Sequence, residues 1–181
     1  HASSLHLDGE LTTIDGDATR TRDVAAAVSG QDAVVVALGI SESAVRVRLR
    51  GAGGTPDDVR SRGTRVVVEA MRETAVSRLV VQTSYGVGPT RPFLRAVDRA
   101  FFALVLKPQI ADTERQEQIV RGSGLDWTIV QPVHLTDGPA TDPRATTDGA
   151  IGATKVSRAS VARVLADAAE GRHGPGQTLS V

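Results

Sequence analysis

Residues 79–88 read LVVQTSYGVG, a pattern that predicts a buried β-strand followed by a hydroxyl-rich loop. The leading apolar run is typical of a parallel strand that is covered on both faces. Ligands of open α/β sheets bind outside the carboxyl ends of such strands, and the two glycines allow the backbone to approach a ligand closely. We therefore predict a binding site at three hydroxyl-bearing residues, Thr83, Ser84 and Tyr85. The alternative is that Thr83 and Ser84 only cap the turn that follows.

The rest of the chain alternates between strand and helix patterns. Four further stretches predict strands: 11–14 (LTTI), 33–38 (AVVVAL), 126–130 (DWTIV) and 177–181 (QTLSV). Four residues are predicted to cap the helices at their N-termini: Thr21, Thr55, Asp112 and Ser157. Short strands that alternate with helices indicate a parallel α/β sheet. No linker or repeat divides the sequence, so residues 1–181 are predicted to form one domain.

Two stretches allow more than one interpretation. In residues 40–54, arginines alternate with apolar residues before a glycine cluster. This pattern fits an edge strand or, as we prefer, a mobile surface loop near the site. Residues 93–106 form an unusually apolar helical pattern that contains all three phenylalanines. Its apolar surface fits a lid over a substrate, a dimer face or ordinary core.

The composition excludes several classes of function. Twenty-one basic and 21 acidic residues cancel in this chain of 181 residues, which argues against a nucleic-acid-binding or membrane-surface protein. Cysteine is absent, so disulfides, thiolate metal sites and cysteine nucleophiles are excluded. No apolar run reaches the length that a membrane-spanning helix needs. We predict a cytoplasmic protein without a metal site.

Several short phrases carry a resemblance to a known family. In chain order they are 15–18 (DGDA), 37–39 (ALG), 63–70 (GTRVVVEA), 83–88 (TSYGVG), 123–132 (SGLDWTIVQP) and 135–139 (LTDGP). Together they resemble the atypical short-chain dehydrogenase/reductase family, in its NAD(P)H-binding, NmrA-like and biliverdin-reductase-B-like branch. The resemblance covers nearly the whole chain. It implies an α/β fold of Rossmann type, a parallel sheet with helices on both faces.

The opening signature of that family is not in this sequence. A Rossmann domain begins with a strand, a G-x-x-G-x-x-G loop and a helix that together hold the pyrophosphate. Neither 51–54 nor 86–88 has that spacing. In the expected strand order, the missing strands lie between the strand at 11–14 and the strand at 33–38. We therefore expect roughly 30 to 40 residues, about one βαβ unit, to precede His1 in the full protein.

The resemblance implies a set of cofactor-binding residues in four segments. In chain order they are Asp17 and Ala18 at the adenine ring; Ala37, Leu38 and Gly39 beneath the adenosine and pyrophosphate; Thr83 and Ser84 near the nicotinamide; and Pro132, Val133, His134 and Leu135 at its carboxamide edge. The last segment is expected to act through its backbone. Alternatives are a simple turn role for Asp17 and proton donation by His134.

Catalytic residues are harder to assign, because the Tyr-x-x-x-Lys pair of ordinary short-chain dehydrogenases is absent. The lysine of that pair lowers the pKa of the tyrosine, so that the phenol exchanges a proton during hydride transfer. Tyr85 is the only tyrosine, and proline occupies position 89. In this branch a lysine or histidine often precedes the glutamate that corresponds to Glu117, but neither does so here. We predict that Ser84, together with Tyr85 or Lys107, polarises the acceptor.

Two functions from different classes fit the sequence. The first is an NAD(P)H-dependent oxidoreductase that reduces a small carbonyl, quinone or flavin-like acceptor, with the cofactor supplying the hydride. The second is a non-catalytic NAD(P)-binding redox sensor or regulatory protein of the NmrA type. We favour the first, because the predicted cleft is open and carries a serine. A relic that binds no nucleotide is a third interpretation if the amino-terminal unit is truly absent.

The expected partners are a dinucleotide, a small-molecule substrate and a second copy of the chain. We predict NADP, with NAD as the alternative. No acidic residue precedes Asp8, whereas an acid at the end of the second strand would select the free ribose of NAD. Three residues near the start offer hydrogen bonds to a phosphate: His1, Ser3 and Ser4.

Overall fold

The computed structural model describes residues 12–39, 57–95, 99, 104 and 106–181. The helices are α1 (Thr21–Val28), α2 (Val59–Thr74), α3 (Lys107–Arg121) and α4 (Arg158–Ala169), and a 3₁₀ helix spans Gly88–Phe93. The strands are β1 (Ala33–Val36), β2 (Arg78–Gln82), β3 (Asp126–Gln131), β4 (His134–Thr136), β5 (Lys155–Ser157) and β6 (Gln177–Ser180).

The main sheet has four parallel strands in the order β1-β2-β3-β6. β2 and β3 pair along their whole length, and Gln82 lies opposite Val130 at their carboxyl ends. The short strands β4 and β5 form a second, parallel pair. The predicted parallel α/β sheet is therefore confirmed.

Side chains of the central strands alternate between two hydrophobic cores. Leu79, Val81 and Ile129 pack on the face covered by α1, α2 and α3. Val80 and Val130 pack on the opposite face against α4. All five side chains are fully buried, as expected for parallel strands that are covered on both sides. This arrangement confirms the predicted helices on both faces of a Rossmann-type sheet.

β1 is an edge strand of the main sheet in the described part of the chain. Val35, at its middle, is 44% exposed. Residues 12–14 belong to no strand, so the predicted strand at 11–14 is wrong for these three positions. Leu11 lies outside the described residues.

Helix starts differ from the predictions at two positions. The residue before the first turn of α1 is Arg20, so Thr21 is the first helical residue and not the cap. α3 begins at Lys107, and Asp112 lies buried inside it. Ser157 does cap α4, because its Oγ accepts a hydrogen bond from the backbone N of Ser160. The local capping rule therefore identified one of these three starts correctly.

Some predictions fall on residues that the structure does not describe. These are the cap at Thr55, the loop or edge strand at 40–54, most of the helix at 93–106, and the phosphate-binding residues His1, Ser3 and Ser4. Phe93, the first residue of the predicted helix at 93–106, is the last residue of the 3₁₀ helix and is exposed.

Candidate functional site

A cavity of about 420 Å³ lies between residues 14–18, α1 and the exposed edge of β1. Its lining includes four of the residues predicted for the adenosine end: Asp17, Ala18, Ala37 and Leu38. Most of the remaining lining is apolar and comes from α1 and β1. The structure thus places two segments that are separate in sequence around one cavity of the size and polarity of a ligand pocket.

Asp17 lies at the rim of this cavity with its carboxylate partly engaged. Its Oδ1 accepts hydrogen bonds from the backbone N and the Oγ1 of Thr19, at 2.8 and 2.7 Å. These bonds, together with the nearby charges of Arg20 and Arg62, lower the pKa of Asp17. Oδ2, which lies 3.6 Å from Nε of Arg20, keeps lone pairs that can accept the amino group of an adenine ring. Asp17 therefore serves the turn and leaves an acceptor for a ligand.

Gly63 explains how α2 approaches the floor of the cavity. A Cβ at this position would lie 2.4 Å from Cδ1 of Leu38 and 3.4 Å from the carbonyl oxygen of Ala18. Only a residue without a side chain permits this contact. Gly63, which belongs to one of the family motifs noted in the sequence, therefore allows α2 to pack closely against Leu38 and Ala18, two of the predicted cofactor-binding residues.

The hydroxyl-rich loop lies beside the end of β3. The backbone N of Thr83 donates to the carbonyl of Val130 at 2.8 Å, and that of Tyr85 donates to the carbonyl of Pro132 at 3.0 Å. These bonds continue the pairing of β2 and β3 beyond both strands. They bring Thr83–Tyr85 next to Pro132, so two segments that were assigned to the nicotinamide by resemblance lie side by side. Ser84 is half-buried, and its Oγ donates to the carbonyl of Tyr85 at 3.3 Å.

Beneath this loop is a buried polar network centred on Glu117 of α3. Oε1 of Glu117 accepts hydrogen bonds from Oγ1 of Thr83 at 2.8 Å and from Nε2 of Gln131 at 2.7 Å. Oε2 accepts from Nη1 of Arg121 at 2.8 Å. The Glu117 side chain is about 2% exposed. A buried carboxylate with three donors is satisfied and holds its donors firmly.

Gln131 extends the network to the far side of the loop. Its Nε2 also donates to the carbonyl of Val87 at 3.0 Å, and its Oε1 accepts from Oγ1 of Thr90 at 2.8 Å. Thr90 Oγ1 in turn accepts from the backbone N of Gly86 at 2.8 Å. The loop that carries Ser84 is therefore fastened at both ends to side chains of α3 and β3.

Tyr85 faces away from that network. Its side chain is buried, and its hydroxyl donates to the carbonyl oxygen of Gly149 at 2.9 Å. Burial raises the pKa of the phenol above its ordinary value. In this position Tyr85 ties the loop around residue 149 to the end of β2, and its proton is held by a backbone acceptor.

Lys107 and His134 are both exposed. Lys107 opens α3 and lies about 15 Å from Glu117 along the helix axis at 1.5 Å per residue. His134 opens β4, where its backbone pairs with Lys155. Val133 and Leu135, its neighbours, are partly buried. At His134 and Leu135 the backbone is held by pairing with β5, and the contact of this segment with a nicotinamide stays a prediction.

Asp112 and Arg60 form a contact that sequence reasoning missed. The carboxylate of Asp112 accepts hydrogen bonds from the backbone N of Arg60 at 3.0 Å and from the backbone N and Oγ of Ser61. Asp112 therefore caps α2 from inside α3. Nη1 of Arg60 donates to the carbonyl of Leu38 at 2.8 Å. The aspartate was identified as a capping residue, but no local pattern shows that it caps a different helix.

Replacing Gly86 by alanine is expected to lower the free energy of unfolding by about 2 kcal/mol, which urea denaturation would measure. Gly86 has φ +87°, and a Cβ there would lie within 2.8 Å of three side-chain carbons of buried Leu94. Gly124→Ala is the matched control, since Gly124 has φ +71° with nothing within 4 Å of the added Cβ. It should lose only the conformational part, about 1 kcal/mol. Equal losses would show that Leu94 does not confine this turn.

Comparison with known proteins identifies the family. Residues 1–171 match the NAD(P)H-binding family. The chain belongs to that family. Membership confirms the resemblance noted in the sequence and the prediction of a nicotinamide-dinucleotide site.

Solved structures of similar fold include ChuY, an anaerobillin reductase from Escherichia coli O157:H7. ChuY shares 24% sequence identity with this chain. The match covers 92% of this chain and 72% of ChuY, with a TM-score of 0.70. A wide-type short-chain dehydrogenase/reductase from Veillonella parvula in complex with NADP shares 18% sequence identity. That match covers 96% of this chain and 73% of the Veillonella protein, with a TM-score of 0.74. A Rossmann-fold NAD(P)-binding family protein from Shigella flexneri shares 25% sequence identity. That match covers 91% of this chain and 66% of the Shigella protein, with a TM-score of 0.60. These likenesses confirm the Rossmann-type fold.

The side chains around the cavity fit such a cofactor. Apolar walls suit a flat adenine ring, and Asp17 supplies an acceptor at the rim. Arg60 does not line the cavity, but it places a cation beside Gly39, the residue that follows Leu38 of the lining. Nε of Arg60 is buried and has no hydrogen-bond partner among the described residues, which is rare for a buried polar atom. Within the described residues, no three potential ligand side chains form a metal site, and no helix is long and apolar enough to span a membrane.

Proposed function

We propose that this chain is an NAD(P)H-dependent oxidoreductase that reduces a small carbonyl, quinone or flavin-like acceptor. The observation that carries the proposal is the layout of the site in a member of the NAD(P)H-binding family. A cavity at β1 and a hydroxyl-rich loop at the ends of β2 and β3 suit the two ends of a dinucleotide. Two proteins of similar fold are named as reductases, which supports the same class of function.

Each end of the proposed cofactor has its own residues. Asp17 and Ala18 would hold the adenine ring, and Ala37–Gly39 would carry backbone beneath the adenosine. Thr83, Ser84 and the backbone of residues 132–135 would border the nicotinamide. When bound, a reduced nicotinamide supplies the hydride.

Ser84 is the residue best placed to polarise the acceptor. Its hydroxyl makes only a long bond, 3.3 Å, to the neighbouring carbonyl, so donation to an acceptor oxygen would replace a weak interaction with a stronger one. The loop beneath it is rigid because Thr83 is held by Glu117. A preorganised donor of this kind stabilises the negative charge that develops on an oxygen as hydride arrives.

We propose NADP as the preferred cofactor. Arg20 and Arg62 both act electrostatically on Asp17 at the rim of the cavity, and cations near the adenosine ribose favour a 2′-phosphate. A protein of similar fold is known in complex with NADP, which supports the same choice.

One observation favours the second candidate, a non-catalytic NAD(P)-binding sensor of the NmrA type. The hydroxyl of Tyr85, the only tyrosine, is held by the carbonyl of Gly149. The chain therefore lacks the mobile phenol and paired lysine that ordinary short-chain dehydrogenases use as a proton donor.

Calorimetric titration with NADPH and NADH, followed by oxidation assays, tests the proposed function. We expect micromolar binding, tighter for NADPH than for NADH, because Arg20 and Arg62, whose charges act on Asp17, would add charge-assisted contacts to a 2′-phosphate. We expect NADPH oxidation with at least one acceptor from a panel of quinones, aldehydes and flavins. Binding without turnover across the panel would favour the sensor, and absence of binding would contradict both functions.

The single domain, the homodimer and the cytoplasmic location stay predictions. Light scattering coupled to size-exclusion chromatography would distinguish a monomer of 18.9 kDa from a dimer of this chain. A mass of twice that value would support the predicted second copy as a partner.

A further inference from the structure

Arg60 places a guanidinium group beside the carboxyl end of β1. Nη1 donates to the carbonyl of Leu38 at 2.8 Å, which fixes the side chain in one orientation. A Cβ at Gly39 would lie 3.2 Å from Nη2, so the absence of a side chain there leaves room for the group. Nε is buried and has no hydrogen-bond partner. Among the described residues, the guanidinium therefore keeps one donor, Nε, that no acceptor uses.

The positive charge of Arg60 is only partly compensated. Burial lowers the pKa of Arg60, and Asp112 is the carboxylate of the described residues that opposes this effect electrostatically. Both oxygens of Asp112 accept from the backbone of Arg60 and Ser61 and from the Ser61 hydroxyl. In the described part of the chain, no carboxylate forms an ion pair with the Arg60 guanidinium. A partly buried cation in this situation gains from an anionic ligand.

We propose that Arg60 binds a phosphate group of the dinucleotide, an inference that rests on the proposed function. Its position favours this role, because Arg60 contacts Leu38, which lines the cavity, and adjoins Gly39, where adenosine and pyrophosphate are expected. The planar fork of an arginine matches phosphate oxygens and offers two donors to them. The phosphate is either the pyrophosphate, shared by NADPH and NADH, or the 2′-phosphate, present in NADPH alone.

Titration of Arg60→Gln with NADPH and NADH tests this inference. Loss of one charge-assisted contact should weaken binding by about tenfold. Weakening of both nucleotides identifies the pyrophosphate, and weakening of NADPH alone identifies the 2′-phosphate. Arg60→Lys keeps the charge without the fork, so it should weaken binding less than Arg60→Gln does. Higher salt should reduce the difference between the wild-type protein and Arg60→Gln, since the lost contact is ionic.

Arg65→Gln is the matched control, because Arg65 is an exposed arginine on the same helix. It should bind both nucleotides like the wild-type protein. Equal affinities of Arg60→Gln and Arg65→Gln for both nucleotides would overturn the inference and leave the proposed function standing. A wild-type protein that binds neither nucleotide would overturn both. If Arg60→Gln does not fold, Arg60→Lys decides the matter, because wild-type affinity for both nucleotides in that variant would exclude a bidentate phosphate contact.

Discussion

Replacing Glu117 by alanine is expected to lower the free energy of unfolding by about 3–5 kcal/mol. Glu117 is fully buried and accepts hydrogen bonds from Thr83, Gln131 and Arg121 at 2.7–2.8 Å. Its removal leaves two buried donors without an acceptor and a cation without its counter-charge, and each loss is costly in an environment of low dielectric. Urea denaturation followed by circular dichroism would measure the change.

Glu114→Ala is the matched control on the same helix. Glu114 pairs with Arg91 at 3.0 Å, but the two side chains are 35% and 66% exposed. An exposed pair of this kind contributes about 0.2–1 kcal/mol, so the two variants should differ several-fold. Glu117→Gln, which keeps the shape and an acceptor for Thr83, should lie between them. A loss at Glu117 no larger than the loss at Glu114 would show that the buried network does not hold the loop.

The sheet could be predicted from the sequence because its central strands are written as continuous apolar runs. Residues 79–81 and 129–130 pack alternately into the two cores. A strand that is buried on both sides is apolar at every position, and this pattern is visible in the local sequence. β4 and β5 have no such pattern in the sequence. Each has three residues, and they pair across the intervening loop through residues such as Leu135 and Val156. Pairing of this kind depends on tertiary structure that no local pattern contains.

Helix ends show the same division between local and distant causes. Ser157 caps the helix that follows it directly, and the local rule found it. Asp112 has the same chemistry, but it caps α2, which begins far from it in sequence. The cap rule recognises a side chain that accepts hydrogen bonds from N–H groups, and it cannot tell which helix supplies them.

The candidate site divides along the same line. Family phrases predicted Asp17, Ala18, Ala37 and Leu38, which do share one cavity. The network that holds the hydroxyl-rich loop joins Thr83 to Glu117, which are 34 residues apart in sequence. No local sequence pattern predicts that these two side chains form a hydrogen bond. In the sequence, Glu117 was recognised only through the family resemblance, as a glutamate without the lysine or histidine that often precedes it. Its three donors give it a defined role in the structure.

Replacing Ser84 by alanine is expected to lower kcat/KM by about 100-fold once an acceptor is known, since one preorganised donor to a developing oxyanion contributes on that order. Ser84 is half-buried beside the end of β3, and its hydroxyl has only the long bond to the carbonyl of Tyr85. The dissociation constant of NADPH should stay within about threefold of the wild-type value, because the lost donor acts on the acceptor and not on the cofactor. Steady-state kinetics and calorimetry on the same samples separate these quantities.

Tyr85→Phe provides the contrast, because the two residues are neighbours and their hydroxyl groups face different partners. The phenol of Tyr85 donates to the carbonyl of Gly149, so its loss should cost about 1 kcal/mol of stability and change kcat little. Burial raises the pKa of Tyr85. The protonated form is therefore favoured on folding, and its contribution is fully present below the ordinary tyrosine pKa of about 10 and disappears only above it.

Activity measurements on further variants separate Ser84 from Tyr85 and Lys107, the other two residues predicted to polarise the acceptor. If Tyr85→Phe loses as much activity as Ser84→Ala, Tyr85 must leave Gly149 and act on the acceptor, and the assignment to Ser84 would be wrong. If Lys107→Ala alone reproduces the loss, the exposed start of α3 must fold over the carboxyl end of the sheet during turnover. We expect neither result, since among the three only Ser84 combines a weakly used donor with a loop that Glu117 and Gln131 hold rigid.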